Sequence, residues 1–165
     1  MLEMPRAWGG QGGWGRVEHG VISASGEVPD RLAKIAGEFA RLARRLKPDV
    51  AALEEAFYGK DVRSVLRIGE VRGAILVALR QAGIPVMQFA PAVVKRAVTG
   101  NGNAAKSQVA AMVERLVGRQ AAGAAEDAAD ALAVAICCAH RVKGFRPLEA
   151  VKNGNRRRNL CRVPT

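Results

Sequence analysis

Two aspartates at the start of an alanine-rich segment are the residues in this chain best suited to chemistry. In AAEDAADALAVAICCA every residue is small or apolar except Glu126, Asp127 and Asp130. Asp127 and Asp130 are three residues apart, so on a helix their carboxylates share one face at its N-terminal end. Adjacent carboxylates repel unless a proton or cation neutralises them, which favours a hard metal such as Mg²⁺. The simplest alternative is that they are ordinary first-turn acids, which the helix dipole also favours.

Glu54 is a further candidate acid. The short apolar run from Val50 to Leu53 predicts a buried strand that ends in Glu54 and Glu55. Because open α/β sheets place their sites at the carboxyl ends of strands, a carboxylate here is well placed to act in catalysis. Glu54 has an equally simple explanation as the point where the strand leaves the core.

Two lysines on either side of a glycine loop are candidates for binding phosphate. Lys106, with Asn103 as the expected N-cap, falls in the first turn of a predicted helix, where a cation opposes the helix dipole. That placement is tolerated more readily if Lys106 and the exposed N–H groups bind a phosphate together. Lys95 precedes the same loop. Phe57, just after Glu54, would stack on a base if exposed, although a buried position is commoner for Phe.

The cysteines indicate core packing and do not require an oxidising compartment. Cys137 and His140 are three residues apart on a predicted helix and could offer two zinc ligands, but the sequence has no second pair, so core packing is the better interpretation. Three cysteines give no disulfide framework. Since the sequence also lacks a signal peptide and any run of 18 apolar residues, we expect a cytoplasmic protein without a membrane partner.

The charge of the chain indicates a polyanionic partner. The 165 residues are 49% apolar, enough for one folded domain, and they carry 26 basic and 15 acidic side chains, a net charge of +11. Residues 141–165 alone hold eight bases and one acid. This segment therefore predicts either a mobile arm that binds nucleic acid or a tail that only improves solubility.

The periodicity of the remaining sequence predicts alternating strands and helices, the pattern of an α/β fold. The predicted strands are Arg16–Ala24, Val50–Leu53 and Pro85–Phe89. The predicted helices are one that begins after Pro29 and ends before Lys47, Pro48 and Asp49, followed by Val62–Gln81, Pro91–Val98, Ala104–Val117 and Ala124–His140. Gly69 and Gly73 lie four residues apart inside the second helix, so we expect something to pack closely against that face.

The order and spacing of these motifs resemble the RuvC family of bacterial Holliday-junction resolvases. The resemblance runs from about Arg16 to His140 and rests on PDVAALEEAFYGKDVRSVLRIGEVRGAI, PVMQFAPAVVKRAVTGNGNAAKSQVAAMV and EDAADALAVAI. It implies an RNase H-like fold, with a mixed sheet flanked by helices. The chain then divides into an irregular Gly/Trp-rich hairpin segment over residues 1–15, a nuclease domain over 16–140 and a flexible basic tail over 141–165.

The resemblance also implies an activity and its residues. The expected reaction is Mg²⁺-dependent paired cleavage of Holliday junctions in DNA recombination and repair, with two metal ions in each active site. The catalytic metal ligands would be Glu54, Asp127 and Asp130, and the DNA contacts would be Phe57, Lys95 and Lys106. The implied partners are the four-way junction, a second copy of the chain bound through the helix with Gly69 and Gly73, and a branch-migration helicase complex.

One departure from the family pattern affects the expected activity. The family opens with a strand that carries its first catalytic Asp, whereas no Asp precedes Asp30 here. We therefore expect the first strand to be missing, the sheet to be weakened and cleavage to be slight. The alternative function is a non-catalytic protein that binds branched DNA, and a third is a structural protein that binds nucleic acid through its tail alone.

Overall fold

The computed structural model describes residues 18–55, 61–118 and 125–142, and in these ranges it is an alternating α/β chain. Its elements are α1 (Val28–Leu46), β1 (Ala51–Glu54), α2 (Val62–Gln81), β2 (Val86–Phe89), α3 (Pro91–Thr99), α4 (Lys106–Val117) and α5 (Glu126–Arg141). These confirm the elements predicted from Pro29 onward, with small shifts at their ends. No helix of the described ranges combines the length and apolar character needed to cross a membrane. Phe57, the 1–15 segment and the basic tail after Val142 lie outside these ranges.

The strand predicted over Arg16–Ala24 is not formed in the part that the structure describes, residues 18–24. In the described chain β1 and β2 pair only with each other, so this segment has no neighbouring strand to complete its backbone hydrogen bonds. Glu18 is held instead by Arg45 of α1, with 3.0 Å between Oε2 and Nη2. Val21 remains 55% exposed, and a cavity of about 460 Å³ lies between the segment, α1 and α5.

The ends of α1 and α2 are set by local hydrogen bonds. Lys47 adopts a left-handed conformation with a φ of 45° and donates its N–H to the Ala43 carbonyl at 2.9 Å, which confirms that α1 ends at this point. Asp61 caps α2, because its carboxylate accepts the backbone N–H groups of Arg63 and Ser64 at 3.1 and 3.2 Å. Hydrogen bonds from the Ser64 hydroxyl and the Arg63 N–H lower the pKa of Asp61.

The sheet of the described residues is a parallel pair whose two faces pack against different helices. Ala51 pairs with Val86 and Glu54 with Phe89, with α2 as the crossover between the strands. One face packs against α1 and α2 in a small cluster formed by Ala43, Ala51, Leu53, Ile75, Leu79, Ile84 and Val86. The other face, which includes Ala52, Met87 and Phe89, packs into a larger core made with α3, α4 and α5. The antiparallel part of the expected mixed sheet is not represented in the described ranges.

Helix α5 is the centre of the larger core. Ile136 is 0% exposed and Cys137 1% exposed, and most of the helix is buried as its composition predicts. Burial raises the pKa of the Cys137 thiol and raises that of Cys138 to about 11, so both stay protonated at neutral pH. Core packing is thus confirmed for Cys137, whereas His140 lies on the exposed end of the helix.

The glycines of α2 lie on its outer face, where no part of the described single chain packs against them. Within the described chain, a Cβ built on Gly69 or Gly73 would meet no atom within 4 Å. The inner face of α2 already packs on α1 and the sheet, so the glycines are turned away from the rest of the domain. Val62, Leu66 and Val77 lie on the same outer stripe at helical spacing and are 70%, 62% and 56% exposed. No element among the described residues covers this stripe.

Candidate active site

Glu54 lies at the carboxyl end of β1, where the sequence predicts it. The alternation of side chains along a strand places Glu54 on the same sheet face as Ala52, toward α3, α4 and α5. Although part of Glu54 is exposed, burial raises the pKa of its carboxyl, and the charge of Asp130 raises it further. Lys106 and Lys95 act in the opposite direction. One strand and three helices therefore bring two acids and two lysines to one place.

The N-terminal end of α5 supplies the other acids. Asp127 is exposed in the first turn and Asp130 is half-buried in the second. The ammonium of Lys106 lies 3.0 Å from Glu126 Oε1 and 4.0 Å from Asp130 Oδ2. The hydrogen bond and charge of Glu126, followed by the charge of Asp130, raise the pKa of Lys106. Lys106 is therefore a firmly protonated cation beside the acids.

The loop that positions Lys106 differs from expectation in its cap. Ala105, not Asn103, is the N-cap of α4, and its backbone N–H donates to the Gln108 side chain at 2.9 Å. Asn103 donates its N–H to Asn101 Oδ1 at 3.0 Å within a loop turn, and so lies too early in the chain to cap α4. Gly102 allows this loop to pack on α3, because a Cβ there would lie 3.1 Å from the Ala92 carbonyl oxygen.

A divalent metal fits part of this arrangement. Carboxylate oxygens are the protein ligands that Mg²⁺ prefers, and the charge of Asp130 contributes to the raised pKa of Glu54. Over residues 18–55, 61–118 and 125–142, however, no group of three or more His, Cys, Asp or Glu side chains could hold a metal ion. Glu54, Asp127 and Asp130 are therefore not gathered into one compact site. The donor chemistry fits a hard cation at Glu54 and Asp130, with Asp127 one turn away.

The structure also assigns partners to residues that the sequence analysis did not select. Glu126 pairs with Lys106. In the sequence, the only sign that Glu126 lies near the other acids was its position in the first turn of α5. Arg72 of α2 donates from its guanidinium to the backbone carbonyl of Glu54 and to the side-chain oxygen of Gln88. An available sign was the periodicity of α2, which places Arg72 in line with Ile75 and Leu79 on the inner face.

The chain matches the family described as "Crossover junction endodeoxyribonuclease RuvC" over residues 12–138. A relative of that description from Syntrophomonas wolfei is 43% identical over 139 residues, which cover 83% of this chain and 81% of the relative. Another from Chloroflexus aggregans is 43% identical over 140 residues, which cover 78% of this chain and 85% of the relative.

Solved structures show the same similarity. "Thermus thermophilus RuvC structure" matches with a TM-score of 0.72 and 34% identity, and "T. thermophilus RuvC in complex with Holliday junction substrate" with 0.75 and 32%. Each match covers 82% of this chain and 84% of the other. These similarities confirm the expected RNase H-like α/β fold.

Proposed function

The chain belongs to the RuvC family of crossover junction endodeoxyribonucleases, and we propose that it resolves Holliday junctions by metal-dependent cleavage of DNA strands. Nucleases with an RNase H-like fold generally depend on divalent metals. The observation that carries the proposal is the meeting of Glu54 and Asp130 beside Lys106, because it joins metal-binding oxygens to a cation for phosphate at one edge of the sheet.

Three acids are proposed as the metal ligands. Glu54 and Asp130 would hold a divalent cation between β1 and α5, and Asp127 would contribute from the turn before. When bound there, Mg²⁺ supplies Lewis acidity toward the scissile phosphate and activates water, and two ions in each site fit the in-line reaction best. The raised pKa of Glu54 means that its ionised form is unfavourable in the metal-free protein. A bound cation would offset this unfavourable free energy.

The lysines would bind the DNA backbone around these acids. Lys106 is an exposed cation in the first turn of α4, where free backbone N–H groups also favour a phosphate. Lys95 comes from α3, and its charge is felt at Glu54. Both lysines would neutralise phosphates next to the scissile bond. Phe57, three residues after Glu54, is the proposed contact with junction bases.

A second copy of the chain is the proposed partner for the outer stripe of α2. An exposed stripe of Val62, Leu66 and Val77, with Gly69 and Gly73 between them, would let two helices approach closely. A two-fold dimer would present two equivalent sites to a four-way junction, which is itself pseudo-symmetric. Family membership further supports a branch-migration helicase complex as partner and the cytoplasm as the location.

Cleavage of a synthetic four-way junction tests the function. Because no Asp precedes Asp30, we expect slow Mg²⁺-dependent paired cuts by the full chain. Asp130→Asn or Glu54→Gln should lower this rate by a further factor of about 100, as the loss of a metal ligand does. Glu114→Gln removes an exposed acid of α4 and serves as the control, with an unchanged rate.

Two outcomes would contradict the assignment. Cleavage that survives Asp130→Asn would exclude the proposed acids. Specific junction binding with no cleavage in Mg²⁺ or Mn²⁺ would instead favour the non-catalytic branched-DNA-binding function. Deletion of residues 141–165 tests the third alternative, binding through the tail alone, which predicts that the shortened chain binds no DNA.

A further inference from the structure

Arg72 contacts the candidate active site from the side of the sheet where no site acid lies. Gln88 pairs with Leu53 in the β1–β2 register, and Leu53 packs into the small cluster with α1 and α2. Gln88 therefore belongs to the α2 face of the sheet, whereas Glu54, one residue further along β1, belongs to the α5 face. The half-buried Arg72 comes from α2 and meets the sheet from behind the site.

The two hydrogen bonds of Arg72 tie the end of β1, which carries Glu54, to β2. One guanidinium nitrogen donates to the backbone carbonyl of Glu54, the last residue of β1, and the other donates to the Gln88 side chain on β2. After Glu54 the strands share one more backbone hydrogen bond, from the Glu55 N–H to the Phe89 carbonyl at 2.9 Å. The planar guanidinium can make both contacts at once in a fixed geometry, which a lysine cannot.

We propose that Arg72 is a positioning residue, which fixes the Glu54 carboxylate in the active site by holding the backbone of Glu54 from the opposite face of the sheet. This inference rests on the proposed nuclease function. Arg72 affects the reaction only by holding Glu54, and it makes no contact with the DNA. Because small displacements of a catalytic group can cost up to about 100-fold in rate, a loosened strand end lowers the rate of cleavage without weakening the binding of DNA.

Separate measurements of binding and cleavage test this role in the full chain. For Arg72→Gln we expect a roughly tenfold lower single-turnover rate at saturating protein, and a junction Kd, measured in Ca²⁺, that changes less than twofold. Arg72→Lys keeps the positive charge and one donor nitrogen, and should recover part of the rate. Gln88→Leu should cause a smaller loss, and the double variant should lose less than the product of the two single losses. Arg67→Gln on the same helix is the control and keeps the wild-type rate.

Amide hydrogen exchange provides a readout that does not depend on cleavage. Arg72→Gln should speed exchange of the Glu55 amide about tenfold while the buried amides of α5 remain protected. A weaker junction Kd with an unchanged saturated rate would make Arg72 a DNA contact and overturn the proposal. An unchanged exchange rate of the Glu55 amide would also overturn the proposal. The same holds if the lower cleavage rate comes with an equal loss of amide protection throughout α5. A wild-type chain that cuts no junction contradicts the proposed function, and the exchange result then still decides whether Arg72 fixes this strand end.

Discussion

The two faces of the β1–β2 sheet differ in how much core they bury and in what they leave exposed. Among the described residues, fourteen buried side chains form the core with α3, α4 and α5, whereas three form the cluster with α1 and α2. The larger core supports Asp130 and the lysines, and the smaller one lies under a helix whose outer face is apolar and open. The acids are thus held by the better packed side, and the surface suited to a partner lies on the other.

Truncating one buried side chain on each face gives the largest effect and tests the difference in packing. We expect Ile136→Ala to lower the free energy of unfolding by about 4 kcal/mol, because Ile136 is fully enclosed. Leu79→Ala, in the smaller cluster, should cost about 2 kcal/mol because its surroundings can relax into the space. Urea unfolding followed by circular dichroism measures both, and equal losses would show that the α2 side is packed as firmly as the α5 side.

Introducing a charge on the outer stripe of α2 should separate a dimer without harming the site. Leu66→Glu places a carboxylate where a second copy would pack and should raise the dimer dissociation constant by about 100-fold or more, as the loss of a central apolar anchor does. Leu116→Glu makes the same change at a 38% exposed position of α4 and is the control. Sedimentation equilibrium measures the dissociation constants of both variants. A wild-type chain that stays monomeric at high concentration would contradict the proposed dimer.

The raised pKa of Glu54 predicts a pH dependence on the α5 side. Burial and Asp130 favour the protonated form of Glu54 in the folded state, so the stability that this proton gives is fully present below the pKa of the unfolded chain and is lost as pH rises through the folded pKa. Glu54→Gln stays neutral at every pH. Its melting temperature should therefore exceed that of the wild type at pH 7.5, by a small amount because the Glu54 side chain is exposed to solvent, and the two should converge near pH 4.

Magnesium provides the check on this pH effect. The difference in melting temperature between Glu54→Gln and the wild type should be largest in metal-free buffer. Millimolar Mg²⁺ should reduce this difference, because it stabilises only the wild type. A difference in melting temperature that is the same at pH 4 and pH 7.5 would show that the ionised Glu54 carboxylate does not destabilise the fold.

The smallest expected effect concerns the ion pair between α4 and α5. Lys106 and Glu126 are about 70% exposed, so their pairing contributes little to stability. Glu126→Gln should nevertheless free the Lys106 ammonium for phosphate and raise junction affinity up to about threefold at low salt, with the gain lost at high salt. Filter binding across a salt series measures this, with Glu114→Gln as the matched loss of one negative charge. Equal gains in both variants would show a general charge effect.

The helices were predictable because their sequence patterns are local. The apolar repeat and Pro48 fix α1, and the alanine-rich composition of α5 fixes its burial, in agreement with the structure. The strand predicted over Arg16–Ala24 is not formed over residues 18–24, because a strand also needs a partner, and alternation in one segment carries no information about its neighbours. The Asn103 cap failed for a similar reason, since the Gln108 side chain accepts the Ala105 N–H, and Asn101 accepts the N–H of Asn103 itself within a turn.

The candidate site was predictable only in its residue types. Glu54, Asp130 and Lys106 could be selected as acids at element ends and as a cation in a first turn, and the structure brings these three together. Which acid would pair with Lys106, and that Arg72 would hold Glu54, depend on distances across the fold that no local pattern contains. The roles of Asp127 and Phe57 remain predictions from the family.

The parallel pairing of β1 and β2 has a consequence for the order of folding. Ala51 pairs with Val86 only after the whole α2 crossover has been closed, whereas α3, α4 and α5 follow one another along the chain. Glu54 reaches Asp130 only when both parts have formed. When the full chain refolds, we therefore expect the helical half to assemble early and the acids to meet in the last step, so that a partly folded chain is unable to cut DNA.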